Sequence, residues 1–161
     1  MLTEELQRIP HVQAIAAMPG ALQTATVHVG EVTLTIDPEH IVAVCRKLRD
    51  EFGAERLSGI TGLDWYPMEP RFEVVYLIHS IRNRYRLKLK CRLPGGDPGI
   101  ESVYEVWRAA DWYEREVFDL FGVTFRNHPN LKRILMPDDW QGHPLRKDFP
   151  VHGHKYSYRA E

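Results

Sequence analysis

Apolar residues open the chain at helical spacing: Leu2, Leu6 and Ile9 follow a capping Thr3, and Pro10 closes or kinks that helix before a second apolar stretch from Val12 to Met18. Pro19-Gly20 stops it. The period then falls to two over Thr24 to Val29 and Glu31 to Ile36, where β-branched residues alternate with polar ones, and Gly30 marks a bulge in one bent strand or a tight connection between two strands. Asp37-Pro38 supplies a capping carboxylate and a first-turn proline, and Ile41, Val44, Cys45, Leu48 and Phe52 return to helical spacing until Gly53. This helix can cover one face of a sheet, leaving Arg46, Lys47, Arg49, Asp50 and Glu51 in water.

The middle of the chain reads as β. Leu57 to Leu63 is a short segment bracketed by glycines, and Phe72 to Ser80 is an apolar run. Tyr85, Leu87, Leu89 and Cys91 then alternate with Arg84, Arg86, Lys88, Lys90 and Arg92, which predicts a strand with one buried and one basic face. The basic face is expected to be solvated or to meet an acidic partner, and at a sheet edge it would discourage edge-to-edge pairing. Pro94 to Gly99 is too rich in Pro and Gly for helix or ladder.

Residues 102–107 predict one short helix, and Asp111 is expected to cap a second, with Glu114 reaching back as in a capping box and Gly122 giving a left-handed stop. On the second helix Tyr113, Val117, Leu120 and Phe121 form an apolar stripe. Glu116 and Asp119 stand one turn apart on a neighbouring face, with Arg115 placed to pair with Asp119 at i+4. Strands grouped in hairpin-like pairs, without regular β-α-β alternation, predict an α+β two-layer sandwich: a mixed or antiparallel sheet with helices on one face. The division expected is a single α+β domain over 1–127, including the helix at 111–121, and an extended Pro-punctuated partner-binding tail over 128–161.

Composition narrows the function. The length of 161 residues suits one domain that buries a core without staples. Twenty-one basic residues against 22 acidic leave a net charge of -1, so the whole-chain field does not attract nucleic acid and any electrostatic recognition is local. Cys45 and Cys91 lack the companion spacing of a zinc clip or an iron–sulfur ligand set and are expected to be reduced core residues. The start of the chain lacks the pattern of a signal peptide, and no apolar window approaches the roughly 20 residues that span a bilayer. No dinucleotide or Walker fingerprint occurs in the Gly-rich loop.

Three chemistries compete for the polar residues. Glu116, Asp119, His128 and His143 are the donors of a possible small metal-dependent enzyme, and His152 and His154 flank Gly153 as a further His-x-His pair. No nucleophile with an adjacent base accompanies them. The basic strand is the candidate for an RNA-binding module, but aromatic residues are not interleaved on its basic face. The third chemistry is protein–protein docking, for which the carboxylate- and aromatic-rich helix and the basic, Pro-punctuated segment after it are suited.

The ordered run Glu114-Arg115-Glu116, Asp119, Gly122, His128-Pro129, Arg133-Ile134-Leu135, Asp138, Trp140, Gly142 and Pro144-Leu145-Arg146-Lys147-Asp148-Phe149-Pro150 resembles the signature of the 30 kDa subunit of respiratory complex I, the proton-pumping NADH:quinone oxidoreductase. The resemblance implies a non-catalytic structural and assembly subunit of the hydrophilic arm. It would dock on the quinone-site subunit beside the iron–sulfur subunits, peripherally, on the cytoplasmic face of the inner membrane. It implies no cofactor in this chain, FMN and iron–sulfur clusters in partner subunits, and electron transfer from NADH to quinone coupled to proton translocation by the complex as a whole. Subunits of membrane-bound hydrogenases and other quinone-reducing complexes share this domain. Within the signature, Glu114, Arg115, Glu116, Asp119, His128 and Arg133 are expected to form an ion-pair network that fixes the base of the tail. Pro129, Pro137, Pro144 and Pro150 would stiffen the tail, Trp140, Leu145 and Phe149 would anchor it on the partner, and Arg146, Lys147 and Asp148 would supply charge complementarity.

Overall fold

The computed structural model describes residues 3–150. Two short helices, α1 (Glu4–Gln7) and α2 (Pro10–Ala16), lead into a hairpin of β1 (Leu22–His28) and β2 (Glu31–Ile36). Thr3 caps α1 and Pro10 occupies the first turn of α2, where its missing N–H has no helical partner to lose. After a 3₁₀ turn at Pro38–His40, capped by the Asp37 carboxylate, come α3 (Ile41–Phe52) and an antiparallel meander of β3 (Arg56–Asp64), β4 (Phe72–Ser80) and β5 (Tyr85–Leu93). Gly53 ends α3 in the left-handed region.

Hairpin and meander join in one five-stranded sheet of order β1-β2-β5-β4-β3, with β2 parallel to β5 and every other pair antiparallel. The sheet is therefore mixed, and α3 carries the chain from β2 to β3 at the far edge. Register aligns Leu34 with Leu89, Leu89 with Tyr76, and Tyr76 with Ile60, so one row of fully or almost fully buried side chains crosses four strands. Each such side chain contributes about 1.5–3 kcal/mol relative to an exposed position. The helices lie on that face. Ile41, Val44, Cys45 and Leu48 of α3 are buried there, and His11 of α2 stacks on Tyr85 at 4.3 Å. The Tyr85 hydroxyl donates to the Phe52 carbonyl at 3.0 Å. Cys45 and Cys91 are buried free thiols, and burial is the main cause that pushes both their pKa values up.

The remaining elements are β6 (Gly99–Glu101), α4 (Ala110–Phe121) and β7 (Thr124–Arg126), and β6 and β7 pair in parallel as a small second sheet. Three-residue strands carry too little alternation to be read from sequence. Residues 102–107 differ from expectation: they form turns, with the Val106 and Trp107 amides both donating to the Val103 carbonyl. Tertiary contacts decide this. The Ser102 amide extends the small sheet by donating to the Arg126 carbonyl, and the Trp107 indole donates to the Ala54 carbonyl at 3.0 Å. The basic strand also differs from an edge strand: β5 lies between β2 and β4, and its Lys88, Lys90 and Arg92 pair with Glu31 and Glu73 across the neighbouring strands.

α4 packs against β3 through Phe121, and Gly62 allows the approach: a Cβ built on Gly62 would lie 2.7 Å from Phe121 Cδ2. Gly62→Ala is therefore an overpacking change at the joint between helix and sheet. It is expected to lower stability by about 1–3 kcal/mol in urea unfolding with an unchanged m-value.

Candidate functional site

The residues of the signature converge on the two ends of α4. At its start, Ala109 is the N-cap and gives no side-chain hydrogen bond, so the expected capping box of Asp111 and Glu114 does not form. The Glu114 carboxylate turns inward instead, accepting from the Ser102 hydroxyl at 2.5 Å and the Val103 amide at 2.8 Å, and is fully buried. It ties α4 to the turn after β6. The ring of His128, also fully buried, approaches from the loop after β7, with Nε2 3.9 Å from Glu114 Oε2. Nδ1 of His128 accepts from the Asn130 amide at 3.0 Å, which leaves Nε2–H to donate to the Asp111 carbonyl at 3.2 Å. Desolvation is the dominant influence on Glu114, whose pKa is pushed up to about 7 against the opposing Ser102 and Val103 hydrogen bonds.

The end of the helix is closed by the segment that follows. An α-helix leaves its last carbonyls without intrahelical donors. Here the Phe118 carbonyl is met by the Gly122 amide, Asp119 by Arg133 Nη1 at 3.2 Å and His143 Nδ1 at 2.9 Å, Leu120 by the Leu145 amide at 3.0 Å, and Phe121 by Arg146 Nε at 2.6 Å. Two of these donors are guanidinium groups, whose charge is also favoured by the negative end of the helix dipole. Gly122 is left-handed at φ 74, and a Cβ there would lie within 2.5–2.7 Å of His143 and Arg146, so only glycine fits both the backbone and the packing.

Asp119 organises the same region through its side chain. One carboxylate oxygen receives Arg133 Nη1 at 2.6 Å, and the other receives the amides of Ile134, Leu135 and Met136 at 3.0, 2.8 and 2.8 Å. Burial opposes ionisation of this carboxyl, but the three amides and the guanidinium outweigh it and hold its pKa below the usual value. Arg115 does not pair with Asp119. It donates to the carbonyls of Lys132 and Arg133 and lies 5.2 Å from the Trp112 ring centroid. Glu116 is exposed, whereas Asp119 is buried. The apolar stripe is correspondingly shifted: Ala110, Val117 and Phe121 are buried with Glu114, whereas Tyr113 and Leu120 are only half-buried.

A second clamp, not anticipated from the sequence, joins the tail to the sheet. Arg71 donates to both carboxylate oxygens of Asp64, at 2.8 and 2.7 Å, and reaches Asp148 at 2.8 Å. The Lys147 amide donates to Asp64 at 2.8 Å. Hydrogen bonds from Arg71 are the main cause holding both carboxyls below the usual range. The only sequence signal was an acid at 64 on the inward parity of β3, in line with Ile60 and Gly62. Of the residues expected to face a partner, Arg146 and Asp148 are thus engaged within the chain, Trp140 stacks on Phe149 at 6.4 Å, Pro144 is half-buried, and the side chains of Leu145 and Lys147 are exposed.

The geometry disperses the four proposed metal donors: Asp119 is occupied by Arg133 and amides, His128 and His143 by backbone groups at opposite ends of α4, and Glu116 faces outward. Among the described residues no group of three or more His, Cys, Asp or Glu side chains is placed to hold a metal ion. His152 and His154 lie outside the described residues. What this arrangement does is fix a long irregular segment, 128–148, against one helix.

The family model described as respiratory-chain NADH dehydrogenase, 30 Kd subunit, matches residues 34–155. The chain belongs to this family. An NADH-quinone oxidoreductase subunit of Citrifermentans bemidjiense is 48% identical over 133 residues, 83% of each chain. An NADH-quinone oxidoreductase subunit of Rhizobium meliloti is 42% identical over 152 residues, covering 92% of this chain and 83% of its own. Two solved structures share the fold of this 30 kDa-family chain. The trypsin-resistant fragment of Nqo5 superposes with a TM-score of 0.63 at 29% identity, over 67% of this chain and 89% of its own. A chain of the membrane-bound sulfane sulfur reductase, an archaeal respiratory membrane complex, does so with a TM-score of 0.75 at 26% identity, over 86% and 82%.

Two substitutions check the energetics of the site. Asp119→Asn weakens the pairing of Arg133 and one acceptor of the amide trio, so a loss of about 3 kcal/mol is expected, with faster hydrogen exchange at Ile134 to Met136. Glu114 works in the opposite sense. Because its folded pKa is raised to about 7, the folded state favours the protonated acid, and the stability tied to it is complete below about 4.5 and declines as pH rises to about 7. Glu114→Gln, which mimics the protonated form, is expected to flatten that decline and to gain as much as about 3 kcal/mol over the native chain at pH 8 relative to pH 4.5, measured by urea unfolding.

Proposed function

We propose that this chain is a cofactor-free structural and assembly subunit of NADH:quinone oxidoreductase, seated in the hydrophilic arm on the quinone-site subunit beside the iron–sulfur subunits. FMN and the clusters belong to those partners, and the chain has no active site of its own. It is held peripherally at the cytoplasmic face of the membrane through the complex; no helix among the described residues is long and apolar enough to cross a bilayer.

The observation that carries this reading is the way α4 and the tail are built. Glu114, Arg115, Asp119, His128 and Arg133 are satisfied within the chain, and apolar side chains beside them are left outside: Leu135 is 55% and Leu145 52% exposed at the C-terminal end of α4, and Trp112 is 60% exposed at its start. A segment fixed in advance by Asp119, Arg133 and Asp64 loses little entropy on docking, so its apolar anchors contribute to affinity with a small opposing cost. The membership of the family supplies the assembly; the exposed anchors supply the surface. A second reading, a sister subunit in another membrane-bound respiratory complex, is supported by the likeness to the sulfane sulfur reductase chain.

The test is a tagged chain expressed in its own host, with membranes extracted in mild detergent. Co-purification with a large assembly that reduces quinone at the expense of NADH is expected; an assembly with hydrogenase or sulfur-reducing activity would favour the sister reading, and a solitary monomer would overturn both. The double variant Leu135→Asp, Leu145→Asp, both exposed in the isolated chain, is expected to keep its melting temperature. It should weaken incorporation about 10- to 100-fold, the effect of removing two anchors of about 1 kcal/mol or more each.

A further inference from the structure

The buried row Leu34, Leu89, Tyr76 and Ile60 marks the core face of the five-stranded sheet, and the opposite face carries mostly half-buried or exposed side chains. A solvated face of a mixed or antiparallel sheet is ordinarily polar throughout. This one is divided. Its β1–β2 side carries threonines, with Thr24 and Thr35 hydroxyls bonded at 2.7 Å. Its β3–β4 side carries Leu63 and Leu77, 41% and 38% exposed, beside a buried Val75. Between them run the outward side chains of β5: Arg86, Lys88, Lys90 and Arg92.

Charge on this face does not cancel. Glu73 is buried between Lys90 and Arg92, at 3.2 and 3.5 Å, and offsets one of the two charges there. At the other end Lys88 meets only Glu31, at 3.3 Å, in a pair that is a third to a half exposed and so contributes little. No carboxylate lies within ion-pair distance of Arg86 among the described residues. At that end the face is indented by a cavity of about 250 Å³ that crosses β2, β5, β4 and β3. Its walls include Arg86, Lys88, Leu77 and His79, and the His79 ring is held by the Ser58 hydroxyl at 2.6 Å from Nδ1. At about 30 Å³ per water, the space holds roughly eight waters, or an acidic side chain with part of its backbone.

We propose that this face is a second docking surface, separate from the tail, for an acidic segment of a neighbouring subunit whose carboxylate enters the cavity between Arg86 and Lys88 while an apolar side chain covers Leu77. Excess positive charge beside exposed leucines is the composition of a protein interface rather than of a nucleic-acid one, since the outward residues of β3, β4 and β5 include no tyrosine, phenylalanine or tryptophan on which a base could stack. The inference rests on the reading of this chain as a subunit of a larger assembly.

The test uses the assembled complex, purified through a tag on this chain and treated with a carbodiimide, which joins a lysine amine to a carboxylate in direct contact. The expected product, located by mass spectrometry, is an amide between Lys88 and an aspartate or glutamate of another subunit, formed at low salt and lost in Lys88→Gln. Arg86→Glu, Lys88→Glu is expected to leave the melting temperature of the isolated chain unchanged and to lower the fraction retained in the complex about tenfold at physiological salt. A link from Lys88 to Glu31 alone, or to a second copy of this chain, overturns the proposal, as does full retention of the double variant; the subunit reading then still stands. A native chain found in no assembly overturns both. Release of RNA or anionic lipid from the purified complex on the double substitution, in place of a cross-link, assigns the surface to those ligands and also overturns it.

Discussion

The final turn of a helix exposes carbonyls that its own backbone leaves without donors, and in this chain three of them are met by the segment that comes after. Arg133 and His143 donate to Asp119, the Leu145 amide to Leu120, and Arg146 to Phe121. The Asp119 side chain adds the complementary interaction, gathering Arg133 and three successive amides around one carboxylate. Residues 133–148 contain no regular helix or strand of their own, so these bonds, with the clamp of Lys147 and Asp148 on Asp64 and Arg71, define their path. Their route over the domain and the outward placement of Leu135 and Leu145 follow from these two sets of bonds.

That dependence explains why residues scattered over 37 positions read as one signature. Gly122 is confined by its left-handed backbone and by the space taken by His143 and Arg146. Those two side chains are confined by the carbonyls they reach. A buried carboxylate with several charge-assisted hydrogen bonds tolerates few substitutes, since a partner removed leaves a desolvated group unmet. Glu114 at the other end shows the same logic with the balance reversed: two hydrogen bonds do not offset its burial, so it is the protonated form that the fold favours.

Local chemistry was legible where it acts locally. The periodicity of α3, the run of β4, the β character on both sides of Gly30 and the left-handed stop at Gly122 could be read because each rests on a few consecutive residues. Misreadings came where distant residues compete. Glu114 has the spacing of a capping box, but Ser102 and Val103 offer it donors in the core; Arg115 has the spacing to meet Asp119, but Arg133 and three amides arrive first. The turns at 102–107 and the interior position of β5 depend on pairings with strands far away in sequence. The Asp64–Arg71–Asp148 clamp joins residues about half the chain apart, and beyond the inward parity of Asp64 no local pattern marks it.

The engagement of Arg146 and Asp148 within the chain changes how the docking surfaces should behave. Charges already paired inside a protein offer little to a partner and little for salt to screen, so the proposed docking through the tail would draw on the exposed leucines and on a conformation fixed beforehand. The outer sheet face is built the other way: Arg86 and Lys88 remain outward and weakly compensated, so association there would be steered by charge and sensitive to ionic strength. Two surfaces of opposite salt dependence on one small domain would let it hold its place by apolar contact while charge selects which neighbour covers the sheet. Geometry limits the residues around the end of α4, whereas charge and size limit the outward side chains Arg86 and Lys88 of β5.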